Sequence, residues 1–304
     1  MPIYARSAAE VKRRLSTSAR NSLASDFEPE RSPEARALAE QALFRLLVAL
    51  EGSDVGLVVL GGLVPEILTR GQAELIPTHL GTTDVDIHVS FGVDSDRDLG
   101  SLEHALETIG AEPDPKIDGW RWRIPVGGMG VKIEFLCDRH DVVADQPIAL
   151  PGCRRLTAAN LRGTGFVARD WVEEELAGSV DGDPVSVTAK YAGLEGYLMA
   201  KAQAVRHRGL DRDCYDLVFV LIYNRAGGPG QAAELLRGGR FAEDVAGAGT
   251  VWREIEARFA EPSAFGPQSY ATQALLVDPA ADSAELRQSA VSAVAEFITS
   301  LRLD

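Results

Sequence analysis

Asp84 and Asp86 lie two residues apart in Thr82-Thr83-Asp84-Val85-Asp86-Ile87, where the alternation Asp, Val, Asp, Ile, His, Val predicts a strand. On a strand this spacing puts both carboxylates on one face while Val85 and Ile87 enter the core. Two close carboxylates repel unless something cationic lies between them. Mg²⁺ (or Mn²⁺) takes one or two carboxylates plus substrate phosphates, which fits such a pair. The chemistry this serves is phosphoryl or nucleotidyl transfer, because the ion neutralises developing charge and aligns the reacting oxygens. An isolated pair of this kind also describes a solvated strand face, so its neighbours decide.

Gly61-Gly62 follows a buried apolar run and opens a helix, a place where bare backbone N–H groups can meet a triphosphate. Glu134, in Val131-Lys-Ile-Glu-Phe-Leu136, alternates with apolar residues and belongs to the polar face of a strand that can lie beside Asp86. Three carboxylates on neighbouring strands can hold two metals about 4 Å apart. Asp138 is close enough to compete with Glu134. Further on, Asp213 and Asp216 share one helix face, and Arg206, Arg208 and Arg212 bring positive charge to the same bend, as a salt-bridge network also would. Lys201 precedes them, and Lys190, three helical turns earlier, is its rival.

In this order the segments resemble the nucleotidyltransferases of the polymerase β superfamily, most closely the AbiEii/AbiGii-type toxin branch. The matching residues are Gly61-Gly62, Thr82-Thr83-Asp84-Val85-Asp86, Glu134, Lys201 and Arg212-Asp213-Cys214-Tyr215-Asp216, across residues 55–223. The resemblance implies catalytic and metal-binding roles for Asp84, Asp86 and Glu134. It implies nucleotide binding by Gly61, Gly62, Thr83, Lys201, Asp213 and Asp216, with an NTP as substrate. It also implies an RNA acceptor such as the 3′ end of a tRNA, and action as the toxin of a type IV toxin-antitoxin system with a cognate antitoxin as partner. One departure is that residues 63–83 make the gap before Asp84 several residues longer than the superfamily's usual one, and an extended loop over residues 71–79 is expected to absorb the excess.

The elements that must position these residues read as follows. Ser32-Pro33 caps a helix that ends at Gly52, and residues 55–60 form a buried strand. Residues 63–69 form a helix with Pro65 in its first turn, and residues 101–109 form another. Strands 120–126 and 131–136 flank Gly127-Gly128 as a hairpin. From about Thr188 helical spacing sets in; Gly209 ends one helix, Asp211 caps the next over residues 212–223, and Asp282 caps a last amphipathic helix. Residues 226–230 and 246–250 read as connectors. The expected fold is α+β: a nucleotidyltransferase-like mixed β-sheet domain over residues 53–185, N-terminal helices over 1–52 packed on it, and a mainly helical domain over 186–304 that contributes Lys and Asp to the site.

Composition narrows the function. With 45 acidic against 31 basic residues the formal charge is −14, which disfavours a protein that coats nucleic acid by bulk electrostatics. This leaves a small hydroxylated molecule or a protein side chain as alternative acceptors, and a non-catalytic NTP-binding protein as the reading from another class. No apolar run approaches the roughly 18 to 20 residues of a membrane span, and the basic N-terminal stretch lacks the apolar segment of a secretory signal. Cys137, Cys153 and Cys214 show no CxxC spacing, so a reducing, cytoplasmic setting is expected. Asp94-Ser-Asp-Arg-Asp98 lacks the Gly and Glu of a calcium loop and reads as a solvated loop. His79 and His88 flank the aspartates without metal-ligand spacing and read as surface or structural residues, while Trp120 and Trp122 read as core.

Overall fold

The computed structural model describes residues 30–70, 76–91, 98–180 and 182–301. The expected N-terminal helix before residue 30, positions 71–75 of the expected long loop and positions 94–97 of the acidic loop lie outside the described residues. The protein is α+β, with a mixed β-sheet and its helices first and a mainly helical region after it. The described residues fall into two compact units. One comprises those up to Leu63 together with Gly81–Tyr191; the other comprises Val64–Leu80 and those from Ala192 onward.

The sheet unit is built from β1 (Leu57–Leu60), β2 (Asp84–Val89), β3 (Glu112–Pro113), β4 (Arg121–Val126), β5 (Met129–Cys137), β6 (Pro147–Ala149), β7 (Thr157–Asn160), β8 (Trp171–Val180) and β9 (Asp183–Ala192), in the spatial order β3-β4-β5-β2-β1-β9-β8. β1 is antiparallel to β2 and β4 is antiparallel to β5, whereas β2 and β5 run parallel. β7 pairs with the end of β5 at Leu136 and Cys137, beyond the last residue matched by β4. Gly127 (φ 56°) and Gly128 (φ 81°) form the two-residue turn of the β4–β5 hairpin, a conformation with both central residues at positive φ that glycine adopts without strain.

Alternation settles which face carries chemistry. Val85, Ile87, Trp122, Ile124, Ile133 and Phe135 are completely buried, and the residues between them are polar. Helix α1 (Pro33–Ala49) packs on β2, β4 and β5 through Ala39, Ala42, Leu43 and Leu46. Each large apolar side chain buried there contributes about 1.5–3 kcal/mol. The helix starts where the sequence places it, with Ser32 Oγ accepting from the Ala35 N–H at 3.1 Å and Pro33 in the first turn. Arg45 on this helix donates to the carbonyls of Pro125 and Ile109, which satisfies a guanidinium whose burial lowers its pKa.

Three features differ from the sequence expectation. Residues 188–192 are strand, not helix, because β9 runs to Ala192 and the helix begins at Leu194. The hairpin partner β8 was not legible, since Val172, Glu173 and Glu175 are exposed and the segment Val172-Glu-Glu-Glu175 carries no apolar alternation. The expected connector 246–250 is mostly helix, interrupted at Ala248.

The helical unit holds α2 (Val64–Thr69), α4 (Leu194–His207), α5 (Asp211–Tyr223), α6 (Pro229–Gly238), α7 (Ala242–Gly247), α8 (Gly249–Arg258), α9 (Phe265–Val277) and α10 (Ser283–Leu301); α3 (Gly100–Thr108) belongs to the sheet unit. Asp282 caps α10 as expected, accepting from the N–H groups of Ala284 and Glu285. Asp211 does not cap α5: it is the helix's first residue, and its carboxylate accepts from Ser269 Oγ at 2.7 Å. In the long gap before Asp84, the expected helix is present as α2, and positions 76–79 of the expected loop are in neither helix nor strand. Val64–Leu80 belongs to the helical unit, where Arg225 N–H donates to Leu68 O and the Leu80 N–H to Tyr215 Oη. Among the described residues no helix is long and apolar enough to cross a membrane.

Glu103, on α3, anchors the 154–156 segment. Its Oε2 accepts the backbone N–H groups of Arg154, Arg155 and Leu156 at 2.7, 3.1 and 3.2 Å. Burial alone would raise its pKa, but the three N–H donors and nearby Arg155 outweigh it and hold the carboxyl below its ordinary 4.5. The stabilisation is therefore full above pH 4.5 and is lost as pH falls through the depressed folded value. Glu103→Gln is expected to cost about 1–3 kcal/mol at pH 7 and to flatten the acid limb of stability, as read by urea unfolding between pH 7 and pH 3.

Candidate functional site

The register of β2 against its neighbours assembles the first group of polar residues. Leu60 lies opposite Asp86 on β1, Asp86 opposite Glu134 on β5, and Glu134 opposite Arg121 on β4. One row along, Asp84 matches Lys132, which matches Arg123. Asp84, Asp86, Lys132 and Glu134 are half-buried on this face. Thr82 Oγ1 donates to Asp84 Oδ1 at 2.6 Å and fixes its orientation. Thr82 makes this contact, not Thr83, the residue expected to bind nucleotide.

Gly61 lies under Asp86. At φ 73° its backbone is in the left-handed region, and a Cβ there would overlap Asp86 Oδ2. Gly62 is packed so closely that a Cβ would stand 2.6 Å from Thr82 Cβ. The two glycines thus bring the start of the Gly61–Leu63 turn into direct apposition with the aspartate strand. Asp84 and Asp86 can present oxygens to one cation, with the bare Gly61 backbone beside them.

Glu134 is held differently. Arg121 Nε and Nη2 both contact its Oε1, at 2.8 and 2.6 Å, and the guanidinium lies 4.9 Å from the centre of the Trp120 ring. Among the described residues no three His, Cys, Asp or Glu side chains are grouped to hold a metal ion, so Glu134 stands as a neighbour of the pair in register and not as a third ligand already turned toward it. Asp138 is excluded from that neighbourhood by the parallel register. It lies four residues beyond Glu134, about 13 Å along the strand, and accepts the N–H groups of Gly163 and Gly165 and a contact from Arg162. His88 shares the Asp86 face but is buried, with Nδ1 lacking a hydrogen-bond partner; burial lowers its pKa to about 4, against the opposing pull of Asp138, so it is neutral at pH 7.

The helical unit brings together a second group. Lys201 Nζ lies 3.2 Å from Asp213 Oδ1 and 3.1 Å from Asp216 Oδ2, and all three residues are at most 6% exposed. Arg208 Nη2 also meets Asp213 Oδ1, at 3.1 Å, and Asp213 Oδ2 is buried without a partner. His79 is 2% exposed and not a surface residue: its Nε2 is 3.1 Å from Asp216 Oδ1, and its ring stacks on Tyr215 and meets the edge of Phe219. Lys190 is no rival to Lys201. It stands on β9, where its ammonium lies 4.8 Å from the Trp171 ring centre and 4.0 Å from Glu173, because the helix that was to carry it starts four residues later.

Arg121, Lys132 and His79 were missed or discounted from sequence. Arg121 sits in Trp120-Arg-Trp-Arg123, where the two tryptophans dominate the pattern, and only the long-range register brings it to Glu134. The three cysteines are free, and burial, the largest cause in each case, pushes their thiols up to about 12, which removes them as nucleophiles at neutral pH. No protein-family model matches the chain, and neither a curated protein nor a solved structure matches it.

The burial of Lys201 yields a direct test. Lys201→Met leaves two buried carboxylates without their ammonium and is expected to destabilise the protein by about 3–5 kcal/mol in urea unfolding. A lysine whose ammonium served only a solvent-facing ligand would change stability by less than about 0.5 kcal/mol.

Proposed function

We propose that the protein is a nucleotidyltransferase of the polymerase β kind, similar to the AbiEii/AbiGii-type toxins, which moves a nucleoside monophosphate from an NTP to an acceptor hydroxyl in the cytoplasm. The observation that carries this reading is the seat of Asp86: its carboxylate occupies the space of the absent Gly61 Cβ, beside Asp84 and in register with Glu134. A turn that gives up its Cβ to bring a carboxylate against open backbone suits a site that must hold a cation and phosphate oxygens together. A lone solvated strand face has no need of it.

Asp84 and Asp86 are the residues that would hold Mg²⁺ or Mn²⁺, which when bound supplies charge neutralisation for phosphoryl transfer. Thr82 fixes Asp84 so that the pair is oriented before substrate arrives. Gly61 and Gly62 leave the backbone approachable by the triphosphate. Glu134, held by Arg121, is the carboxylate that would accept the proton of the acceptor hydroxyl. The buried pairing of Lys201, Asp213 and Asp216 supports a role inside the helical unit in preference to direct phosphate contact.

Incubation with each α-³²P-labelled NTP, in Mg²⁺ or Mn²⁺, against total RNA, cell protein and an aminoglycoside panel tests this reading and identifies the acceptor. Label is expected in one fraction. Asp84→Ala, Asp86→Ala and Gly61→Ala are each expected to lower transfer at least about 100-fold while the far-UV spectrum persists. Label in no fraction, or undiminished transfer by Asp84→Ala, overturns the assignment.

A further inference from the structure

Among the described residues the sheet ends in the edge strands β3, β6 and β8, and the first two are blunted. β3 is two residues long and ends at Pro113, and β6 is three residues long and begins at Pro147. Proline has no N–H to offer, and so short a strand gives a newcomer little to pair with. β8 is built differently. It runs for ten residues, Trp171–Val180, contains no proline and no basic residue, and pairs only with β9 among the described residues. Its outer edge therefore presents a row of backbone donors and acceptors.

The strand is also held against the body of the sheet unit. Gly178 lies so close to α1 that a Cβ would stand 2.7 Å from Phe44 Cζ. Trp171, Glu173, Glu175, Ala177 and Ser179 are exposed on one face, and Glu174, Leu176 and Gly178 are half-buried on the other. On the exposed face β9 already supplies neighbours. Ser186 Oγ donates to Glu175 Oε1 at 2.7 Å, and the Lys190 ammonium lies 4.0 Å from Glu173 and 4.8 Å from the centre of the Trp171 ring. Each carboxylate has a second oxygen to offer, and Trp171 is still 42% exposed. Lys190 thus shows, on one side of β8, the kind of neighbour that suits its open side.

We propose that the open edge of β8 takes an extended segment of a second polypeptide as a further strand, and that this segment alternates basic with apolar side chains. Its basic residues stand beside Glu173 and Glu175, where opposite charges across a strand pair attract, and one of them can meet the exposed part of the Trp171 ring. Its apolar residues fall on the face of Leu176, the side on which Gly178 meets Phe44. A second copy of this chain is the poorer occupant. It would bring two Glu173-Glu174-Glu175 runs to adjoining edges, in a chain whose formal charge is −14. β1 and β9 lie between β8 and the aspartate strand β2, so this edge and nucleotidyl transfer are tested separately.

The probe is a six-residue peptide of alternating lysine and valine, blocked at both ends, labelled with a fluorophore and titrated with the full chain by anisotropy. It is expected to bind at least about tenfold more tightly than the same peptide methylated at every backbone nitrogen, which keeps each charge and loses each donor. Glu173→Lys combined with Glu175→Lys, both at exposed positions, is expected to weaken binding at least about tenfold while the far-UV spectrum is unchanged. Amide hydrogen exchange is expected to slow in β8 when the peptide is bound. Absence of binding, or equal binding of the methylated peptide by simple attraction to the acidic body, overturns the inference, as does undiminished binding by the double variant. No slowing in β8 overturns it too, including the case in which a second copy or the chain's own residues already cover that edge.

Discussion

The parallel pairing of β2 with β5 is the constraint on which the candidate site depends. Side chains alternate along a strand, so a slip of one residue would turn Asp84 and Asp86 into the core and expose Val85 and Ile87. Burial forbids the slip: Val85, Ile87, Ile133 and Phe135 are fully buried on the two strands, and the α1 residues Ala39, Leu43 and Leu46 are buried as well. The same register that buries these side chains sets Asp86 opposite Glu134 and Glu134 opposite Arg121. Hydrophobic packing on one face thus fixes the electrostatics of the other, including the like-charge pairing of Asp86 with Glu134 that the polar side chains alone would disfavour.

The helical unit uses charge in a different way. Lys201, Asp213, Asp216 and His79 are buried together, so each ion there depends on the others for compensation. The cluster links α4 to α5 and ties the incoming 76–80 segment to α5 through His79 and Leu80. This explains the long interval between Gly62 and Asp84: the chain leaves the sheet after Leu63, contributes to the helical unit, and returns at Gly81.

Local patterns carried much of this information. The Ser32-Pro33 start of α1, the Gly127-Gly128 turn, the Asp84–Val89 alternation and the Asp282 cap could be read from short windows, because each is decided by residues within one turn or one strand. The α+β order followed from them. What the windows could not supply was pairing. Arg121 with Glu134, and His79 with Asp216, join residues 13 and 137 positions apart. The β8–β9 hairpin was hidden for a related reason: its first strand is mostly solvated and has no apolar period to announce it. Lys190 was misplaced because an eleven-residue spacing was read as helical across the boundary between β9 and α4. The aspartate pair was legible as a strand motif, but its seat over Gly61 was not.

Whether Asp84 and Asp86 hold the metal of a nucleotidyl-transfer site is decided most directly by crystals grown with Mn²⁺ and a non-hydrolysable NTP. The expected result is an anomalous peak about 2.1 Å from carboxylate oxygens of both aspartates, with phosphate oxygens on its other side. No peak on this face, or a peak bound only to other residues, would contradict the assignment.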